Sequence, residues 1–145
     1  MQIISHRGNL NGSIPEMENR PDYILSAIRS GFSVEVDVWY VDGNLKLGHD
    51  LPQYDTSIGW LRQRPLWCHA KNAGALEVLL FENMHCFWHE QDSYTLTSQG
   101  IPWCYPGHWM AGGVTVVQDK YEIANKIVSG KNIFGICVED PNAWN

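Results

Sequence analysis

Valine and acidic residues alternate along residues 33–40, and this pattern predicts a β-strand with two different faces. Residues two apart on a strand point to the same side of a sheet. Glu35 and Asp37 therefore share one face, and the three valines of the run share the other. Residues 65–71 repeat the arrangement, because His69 and Lys71 there oppose a face that is wholly apolar.

Other short apolar runs and helical spacings alternate along the chain. Apolar positions three and four apart predict helices, and Pro21 and Gly31 are placed to begin and end the first of them. Strands are predicted at 2–5, 33–40, 45–49, 65–71, 84–89, 94–98, 101–105, 113–117 and 133–138, and helices between 19 and 31 and at 57–63, 73–83 and 120–129.

This alternation favours a mainly parallel sheet with helices outside it. A polar face toward the interior is typical of a (β/α) barrel with its site in the mouth, whereas the central strands of an open doubly wound sheet are apolar on both faces. A full barrel takes about 250 residues, and this chain has 145. The predicted fold is therefore α/β, an abridged TIM-type (β/α) barrel with several helices shortened or replaced by loops.

The composition predicts one folded domain over residues 1–145, with 44% apolar and 18% charged residues. A net charge of −6 without a basic run argues against nucleic acid as a partner, and no apolar window approaches the roughly 20 residues of a membrane span. The first residues lack the regions of a signal peptide. Four cysteines without a C-x-x-C pair are expected to be buried, reduced thiols, so we predict a cytoplasmic protein.

The two acids of the first pattern are the first candidate for chemistry. Carboxylates inside a hydrophobic strand are costly unless their charge is compensated. For Glu35 and Asp37 the usual compensator would be a hard divalent cation, which can also polarise a phosphoryl oxygen and bind an attacking hydroxyl. The alternative is an exposed strand face on which both acids meet water.

Histidines and basic residues near this strand suggest acid–base chemistry on an anion. Imidazoles titrate near neutrality, so His6 and His49 can supply the base and the acid that phosphodiester cleavage needs. Arg7 would clamp a phosphate with two hydrogen bonds, and Gly8 would let the backbone approach closely. Lys71 is a second candidate phosphate contact, although an ordinary surface lysine is equally compatible with its position.

Four short motifs in a fixed order resemble those of the glycerophosphodiester phosphodiesterases, within the phospholipase C-like phosphodiesterase group. They occupy the first third of the chain, and weaker likenesses follow at 67–71, where the family has a strand ending Glu-x-Lys, and at 135–137, near its final strand. The four motifs are His6-Arg7-Gly8, Glu18-Asn19 ahead of a helix, Glu35-x-Asp37 and Gly48-His49-Asp50. The resemblance implies a TIM-barrel fold and a metal-assisted mechanism with two histidines.

The resemblance also implies roles for these residues. His6 would be the base and His49 the acid, while a neighbouring hydroxyl of the substrate attacks phosphorus to give a cyclic phosphate. Mg²⁺ or Ca²⁺ would bind Glu35, Asp37 and a third carboxylate, but the third position holds His69 in this chain. A nitrogen donor shifts the expected preference toward Mn²⁺ or Zn²⁺. His69 is otherwise a histidine of the core or one that supports the metal ligands.

Further residues are candidates for substrate contact or support. Glu18 and Asn19 would support the metal or orient His6, or else cap the following helix. His89, at the end of a predicted strand, could line the pocket. Trp103 could contribute an aromatic wall, together with Tyr105 and Trp109, although such residues are more often part of the core.

Three functions remain open from the sequence. The first is a compact phosphodiesterase that acts on a small glycerophosphodiester-like molecule, and His6 and His49 favour it because binding alone does not require two histidines. The second is a non-catalytic phosphate-ester or polyol binding module on the same barrel. The third is a different metal-dependent barrel enzyme, such as a lyase or an aldolase. The oligomeric state cannot be predicted.

Overall fold

Helices and strands alternate through the first half of the chain and short strands follow. The computed structural model describes residues 1–118 and 132–144. The strands are β1 (Gln2–His6), β2 (Ser33–Val41), β3 (Asn44–Leu47), β4 (Tyr54–Asp55), β5 (Leu66–Ala70), β6 (Cys86–Trp88), β7 (Tyr94–Leu96), β8 (Pro102–Cys104), β9 (Val114–Val117) and β10 (Gly135–Val138). The helices are α1 (Pro21–Arg29), α2 (Ile58–Arg62), α3 (Ala73–Phe81) and a 3₁₀ turn, Pro141–Ala143.

Seven strands form a continuous parallel array in the order β6-β5-β2-β1-β10-β9-β8. Two antiparallel strands, β3 and β4, extend from the second half of β2, and β7 pairs antiparallel with β8. In the described part of the chain the strand ladder does not continue between β6 and β8. The α/β class is therefore confirmed, while closure into a barrel stays a prediction.

Local sequence explains the elements that surround β2. Pro21 stands in the first turn of α1, where its missing backbone N–H costs no helix hydrogen bond. Gly31, after the helix, adopts a φ of +95° that side chains disfavour. The tight turn into β3 is made by Asp42 and Gly43, both with positive φ, which is the geometry of the hairpin turns whose twist matches the strands.

The two faces of β2 and β5 differ as the alternation predicted. The outward face packs against α1 and α3, and Val34, Val36 and Val38 on it are wholly buried. The inward face carries Glu35 and Asp37 toward the carboxyl ends of the strands, and an apolar layer lies on the side of their amino ends. That layer consists of Ile4, Trp67, Phe87, Trp103, Val114 and Cys137.

Among residues 82–118, side-chain contacts rather than helices connect the strands of the array. No helix lies between residues 82 and 118 of the described chain. Across the opening between β6 and β8, the rings of Phe87 and Trp103 stack with centroids 4.5 Å apart. Thr95 donates a hydrogen bond to the carbonyl of Trp88. The predicted helix at 120–129 lies outside the described residues.

The cysteine and membrane predictions can also be compared with the structure. All four cysteines are buried and none forms a disulfide, as expected for reduced thiols. Among the described residues no helix is both long enough and apolar enough to cross a membrane.

Candidate metal centre and active site

A cavity of about 960 Å³ opens at the carboxyl ends of the parallel strands. It brings together most of the residues singled out from the sequence. Those that line it are His6, Arg7, Glu35, His49, His69, Lys71, His89 and Trp103. Asp37 lies buried beneath the cavity, and Glu18 lies behind Arg7.

Three side chains from two neighbouring strands converge at the base of this cavity. The register of β2 and β5 places Asp37 beside His69, whose Nδ1 lies 3.2 Å from Oδ1 of Asp37 and 3.7 Å from Oε1 of Glu35. One oxygen of each acid and the imidazole nitrogen all lie within 4.8 Å of one another. This group could hold a metal ion.

Unsatisfied atoms support that possibility. Oε2 of Glu35 and Oδ1 of Asp37 are buried and have no hydrogen-bond partner within the described residues. Buried polar atoms are normally paired, and ionised carboxylates are the most costly to leave alone. Two carboxylate oxygens and one imidazole nitrogen form a donor set that suits Mn²⁺ or Zn²⁺ as well as Mg²⁺, so the residues fit a divalent ion.

His69 is held so that one particular nitrogen faces the acids. Its Nε2 donates a hydrogen bond of 2.9 Å to the carbonyl of His89, which can only accept. A backbone partner of this kind is typical of histidines that bind metals. Burial opposes the charged form of His69, but the carboxylates of Asp37 and Glu35 raise its pKa to about 9. Without a metal, a proton on Nδ1 would partly compensate the acids.

Asp37 is surrounded by donors on its other side. Asn19 donates to its Oδ2 and accepts from its backbone N–H, and Nζ of Lys71 lies 4.0 Å from Oδ1. Burial would raise the pKa of Asp37, but His69, Arg7 and Asn19 together lower it. The helix-cap alternative for Asn19 is wrong, because the residue at the N-cap of α1 is Arg20.

Arg7 is turned toward the acids by a constrained backbone. It has a φ of +57°, and a side chain at the following Gly8 would come within 2.9 Å of the Tyr23 ring. Its guanidinium makes ion pairs of 3.1 Å with Asp37 and with Glu18. These contacts oppose burial and raise the pKa of Arg7. The predicted phosphate clamp therefore has to operate from a guanidinium that two carboxylates already hold.

Glu18 supports Arg7 from behind. It accepts hydrogen bonds from Asn9 and Ser13 as well as from Arg7. Burial would raise the pKa of Glu18, and these bonds lower it. The structure thus gives Glu18 a supporting position rather than a place on the wall of the cavity.

His6 has a carboxylate partner that sequence reasoning missed. Its Nδ1 lies 2.5 Å from Oε1 of Glu139, and Asn9 donates to the other oxygen of that acid. Its Nε2 faces Oε2 of Glu35 at 3.6 Å. Burial would lower the pKa of His6, but the hydrogen bond with Glu139 and the charge of Glu35 raise it. The pairing of β1 with β10 explains this contact. It places Ser5 beside Val138, so the residues that follow these two, His6 and Glu139, come close together.

His49 approaches the cavity from a loop. It follows β3, and any side chain on the preceding Gly48 would clash with the carbonyl of Leu51 at 1.9 Å. Its side chain is 41% exposed, and Nδ1 lies 2.7 Å from Oδ1 of Asp50. His49 is therefore at the rim, in contact with solvent, whereas His6 lies at the base.

The far wall of the cavity combines acidic and aromatic groups. His89 lies 3.0 Å from the carboxylate of Asp92, and its ring is 5.6 Å from that of Tyr105. Tyr105 is 45% exposed, whereas Trp103 is 2% exposed and belongs to the apolar layer. Trp109 is not among the lining residues. Tyr105 therefore offers more aromatic surface to a ligand than the predicted Trp103 does.

Comparisons of the chain with protein-family models, with curated proteins and with solved structures gave no match. The proposal for its function therefore depends on the geometry of this site and on the motifs in the sequence.

Proposed function

We propose that the protein is a metal-dependent phosphodiesterase that cleaves a small, glycerophosphodiester-like molecule. The observation that carries the proposal is a pair of buried carboxylate oxygens, one from Glu35 and one from Asp37, close to Nδ1 of His69. Neither oxygen has a hydrogen-bond partner in the part of the chain that the structure describes. Such a cluster in an open cavity is the arrangement that a divalent ion and a phosphate ester would complete together.

Glu35, Asp37 and His69 would hold the ion. When bound, it supplies Lewis-acid polarisation of a phosphoryl oxygen. Mg²⁺, Ca²⁺ and Mn²⁺ are all candidates, and the imidazole favours Mn²⁺ over Ca²⁺. Arg7 and Lys71, which line the same cavity, would neutralise the charge of the phosphate.

The two histidines have different surroundings, which suit different roles. A proton on Nδ1 of His6, shared with Glu139, leaves Nε2 free to accept the proton of an attacking hydroxyl. His49 is exposed at the rim, where it can protonate a departing alkoxide and exchange protons with water. His6 would therefore be the base and His49 the acid.

An abridged TIM-type barrel in one domain is the fold proposed for this chemistry. The parallel order β6-β5-β2-β1-β10-β9-β8, the polar cluster at the carboxyl ends of the strands and the apolar layer below it support this assignment. The Phe87–Trp103 stack would occupy the place of the missing ladder. The free buried thiols are compatible with the cytoplasm as the compartment.

A second candidate is a non-catalytic phosphate-ester or polyol binding module. One observation favours it: the cations of Arg7 and Lys71 and the imidazole of His69 already surround Asp37 without any metal. Such a site could bind an anion through the same basic residues and perform no reaction.

The test uses metal-stripped protein, with Mg²⁺, Ca²⁺ or Mn²⁺ added back, and two glycerophosphodiesters that differ in the leaving alcohol. One carries ethanol and the other 4-nitrophenol, which departs without protonation. His6→Ala should slow cleavage of both substrates by about 100-fold or more. His49→Ala should slow the ethyl ester by a similar factor and leave the nitrophenyl ester nearly unaffected, because only the poor leaving group needs an acid.

His108→Ala is the matched control, since this histidine does not line the cavity. Full activity without metal, or equal losses for both histidine variants on both esters, would contradict the mechanism. Saturable binding of the ethyl ester without turnover under any of the three metals would select the binding module.

A further inference from the structure

A second cavity, of about 420 Å³, lies at the opposite end of the parallel strands. Its walls include Gln2, Ser33 and Leu66, which are the first residues of β1, β2 and β5. The candidate active site lies where the same strands end. The two cavities are separated by the apolar layer that contains Trp67 and Phe87.

The charge of this second cavity differs from that of the whole chain. The chain has a net charge of −6, yet the lining residues include Arg62 and Arg64 and no aspartate or glutamate. Arg62 is already paired with the carboxylate of Glu82 at 2.8 Å. Within the described residues no carboxylate lies in ion-pair distance of Arg64, whose guanidinium contacts the Trp60 carbonyl and ring. As far as the described residues go, the cavity therefore has about one uncompensated positive charge.

Aromatic rings form the other side of the cavity. Trp67 is at its base, with the ring of His85 4.2 Å away and that of Phe134 5.8 Å away. Phe134 is 40% exposed, so part of an aromatic face is available to a ligand. Flat ligands bind well against such surfaces.

Two polar atoms at this site lack partners. Nε of Arg64 and Nε2 of His85 are buried and make no hydrogen bond within the described residues. Burial lowers the pKa of His85, which favours the neutral imidazole, and a neutral ring with its proton on Nε2 can donate. Both side chains line the cavity, so a rotation of each would present these donors to an acceptor that enters it.

We propose that this cavity is a binding site for a small aromatic carboxylate. The carboxylate would pair with Arg64 and accept a hydrogen bond from His85, while the ring would lie against Trp67 and Phe134. One free cation among the described lining residues suits a monoanion better than a phosphate dianion. The neutral amides of Gln2, Asn83 and Gln99, also in the lining, can add hydrogen bonds without repelling it. The site is independent of the phosphodiesterase proposal, since the two share no lining residue.

The test is a titration of the intact protein with benzoate, followed by ¹H–¹⁵N NMR. Benzoate should give saturable shifts centred on Arg64, Trp67 and His85, and benzamide, which has the same shape without the charge, should bind at least about 10-fold more weakly. Acetate, which lacks the ring, should bind weakly as well. Equal affinity for benzoate and benzamide, or shifts confined to the cavity of His6, would overturn the proposal.

Substitutions then identify the groups responsible. Arg64→Met keeps an unbranched apolar stem but removes the guanidinium, and it should weaken benzoate about 10-fold or more while leaving benzamide unchanged. His85→Phe keeps the contact with Trp67 and should weaken benzoate by a smaller factor. Arg29→Met, at an exposed position on α1, is the matched control and should change nothing. Benzoate binding that survives Arg64→Met would refute the assignment, and the comparison of benzoate with benzamide on the unmodified protein decides the question if that variant fails to fold.

Discussion

The outward and inward faces of β2 and β5 use alternate residues of the same strands for opposite purposes. Outward, Val34, Val36 and Val38 are completely buried against helices and carry no polar atom. Inward, Glu35 and Asp37 are also buried, and each has one oxygen without a hydrogen-bond partner within the described residues. The outward face contributes stability through burial of apolar area, whereas the inward face groups the side chains that could hold a metal ion.

This difference teaches how to separate folding from function in this protein. Outward substitutions should lower the free energy of unfolding and leave the chemistry intact. Substitution of Glu35 should abolish the chemistry with little loss of stability, because its Oε2 makes no hydrogen bond within the described residues. Asp37 is paired with Arg7 and His69, so its substitution should also lower stability. The first two predictions below test the two sides of this contrast, and the last two test contacts outside it.

The largest expected effect is on activity, from Glu35→Gln. The amide has the shape of the acid but lacks its charge, so metal affinity and Lewis-acid catalysis should be lost together. We expect kcat for a glycerophosphodiester to fall by about 10³-fold, equivalent to about 4 kcal/mol of barrier. The melting temperature of the metal-free protein should not fall. A phosphodiesterase assay gives kcat, calorimetric titration with Mn²⁺ gives the metal affinity, and thermal denaturation gives the melting temperature.

Glu77→Gln is the control for this change, since Glu77 is exposed on α3. This variant should leave kcat, the metal affinity and the melting temperature unchanged. A variant of Glu35 that unfolds, or one that retains full activity, would erase the distinction between the faces.

The second effect is on stability, from Val36→Ala. Removing two methyl groups from a fully buried position should lower the free energy of unfolding by about 2 kcal/mol, measured by urea denaturation. The kcat of the folded enzyme should be unchanged, although both neighbouring residues belong to the site. Val41→Ala, at the half-buried end of β2, should cost less. A large loss of kcat in folded Val36→Ala would show that the two faces are not separable.

The sequence alone predicts this contrast between faces well, for a local reason. Alternation along a strand decides which side chains share a face, so the directions of Glu35, Asp37 and His69 follow from spacing within single runs. The α/β class follows in the same way from the succession of runs. Both are properties of neighbouring residues.

Contacts between distant elements could not be predicted from local pattern. The pairing of His6 with Glu139 requires the register of β1 with β10, and the engagement of Arg7 with Glu18 requires the turn at Gly8. The opening between β6 and β8 is spanned by the stacked rings of Phe87 and Trp103. The periodicity of apolar residues in the sequence does not show which aromatic rings meet. Sequence patterns specify faces, while strand order and loop path decide which faces meet.

The third effect tests the distant contact itself. Glu139→Gln keeps a hydrogen-bond acceptor for Nδ1 of His6 but removes the charge that stabilises the imidazolium. We expect kcat to fall about 10-fold, or about 1.4 kcal/mol, with KM nearly unchanged. The ¹⁵N shifts of His6 should still show the proton on Nδ1. Restored activity in Glu139→Asp would indicate that charge matters more than reach, whereas unchanged kcat in Glu139→Gln would remove Glu139 from the mechanism.

The smallest effect concerns a charge pair that belongs to neither face. Lys46 and Asp55 approach to 2.5 Å at the β3–β4 edge, where the carboxylate is 87% exposed. Water screens such a pair and the side chains lose entropy in forming it, so Lys46→Met should change the free energy of unfolding by about 0.5 kcal/mol or less. Lys46→Arg, which retains the charge, should be silent. A loss of unfolding free energy comparable to that of Val36→Ala would mean that an exposed ion pair stabilises this sheet as strongly as its outward apolar face. The outward face would then not be the main source of stability.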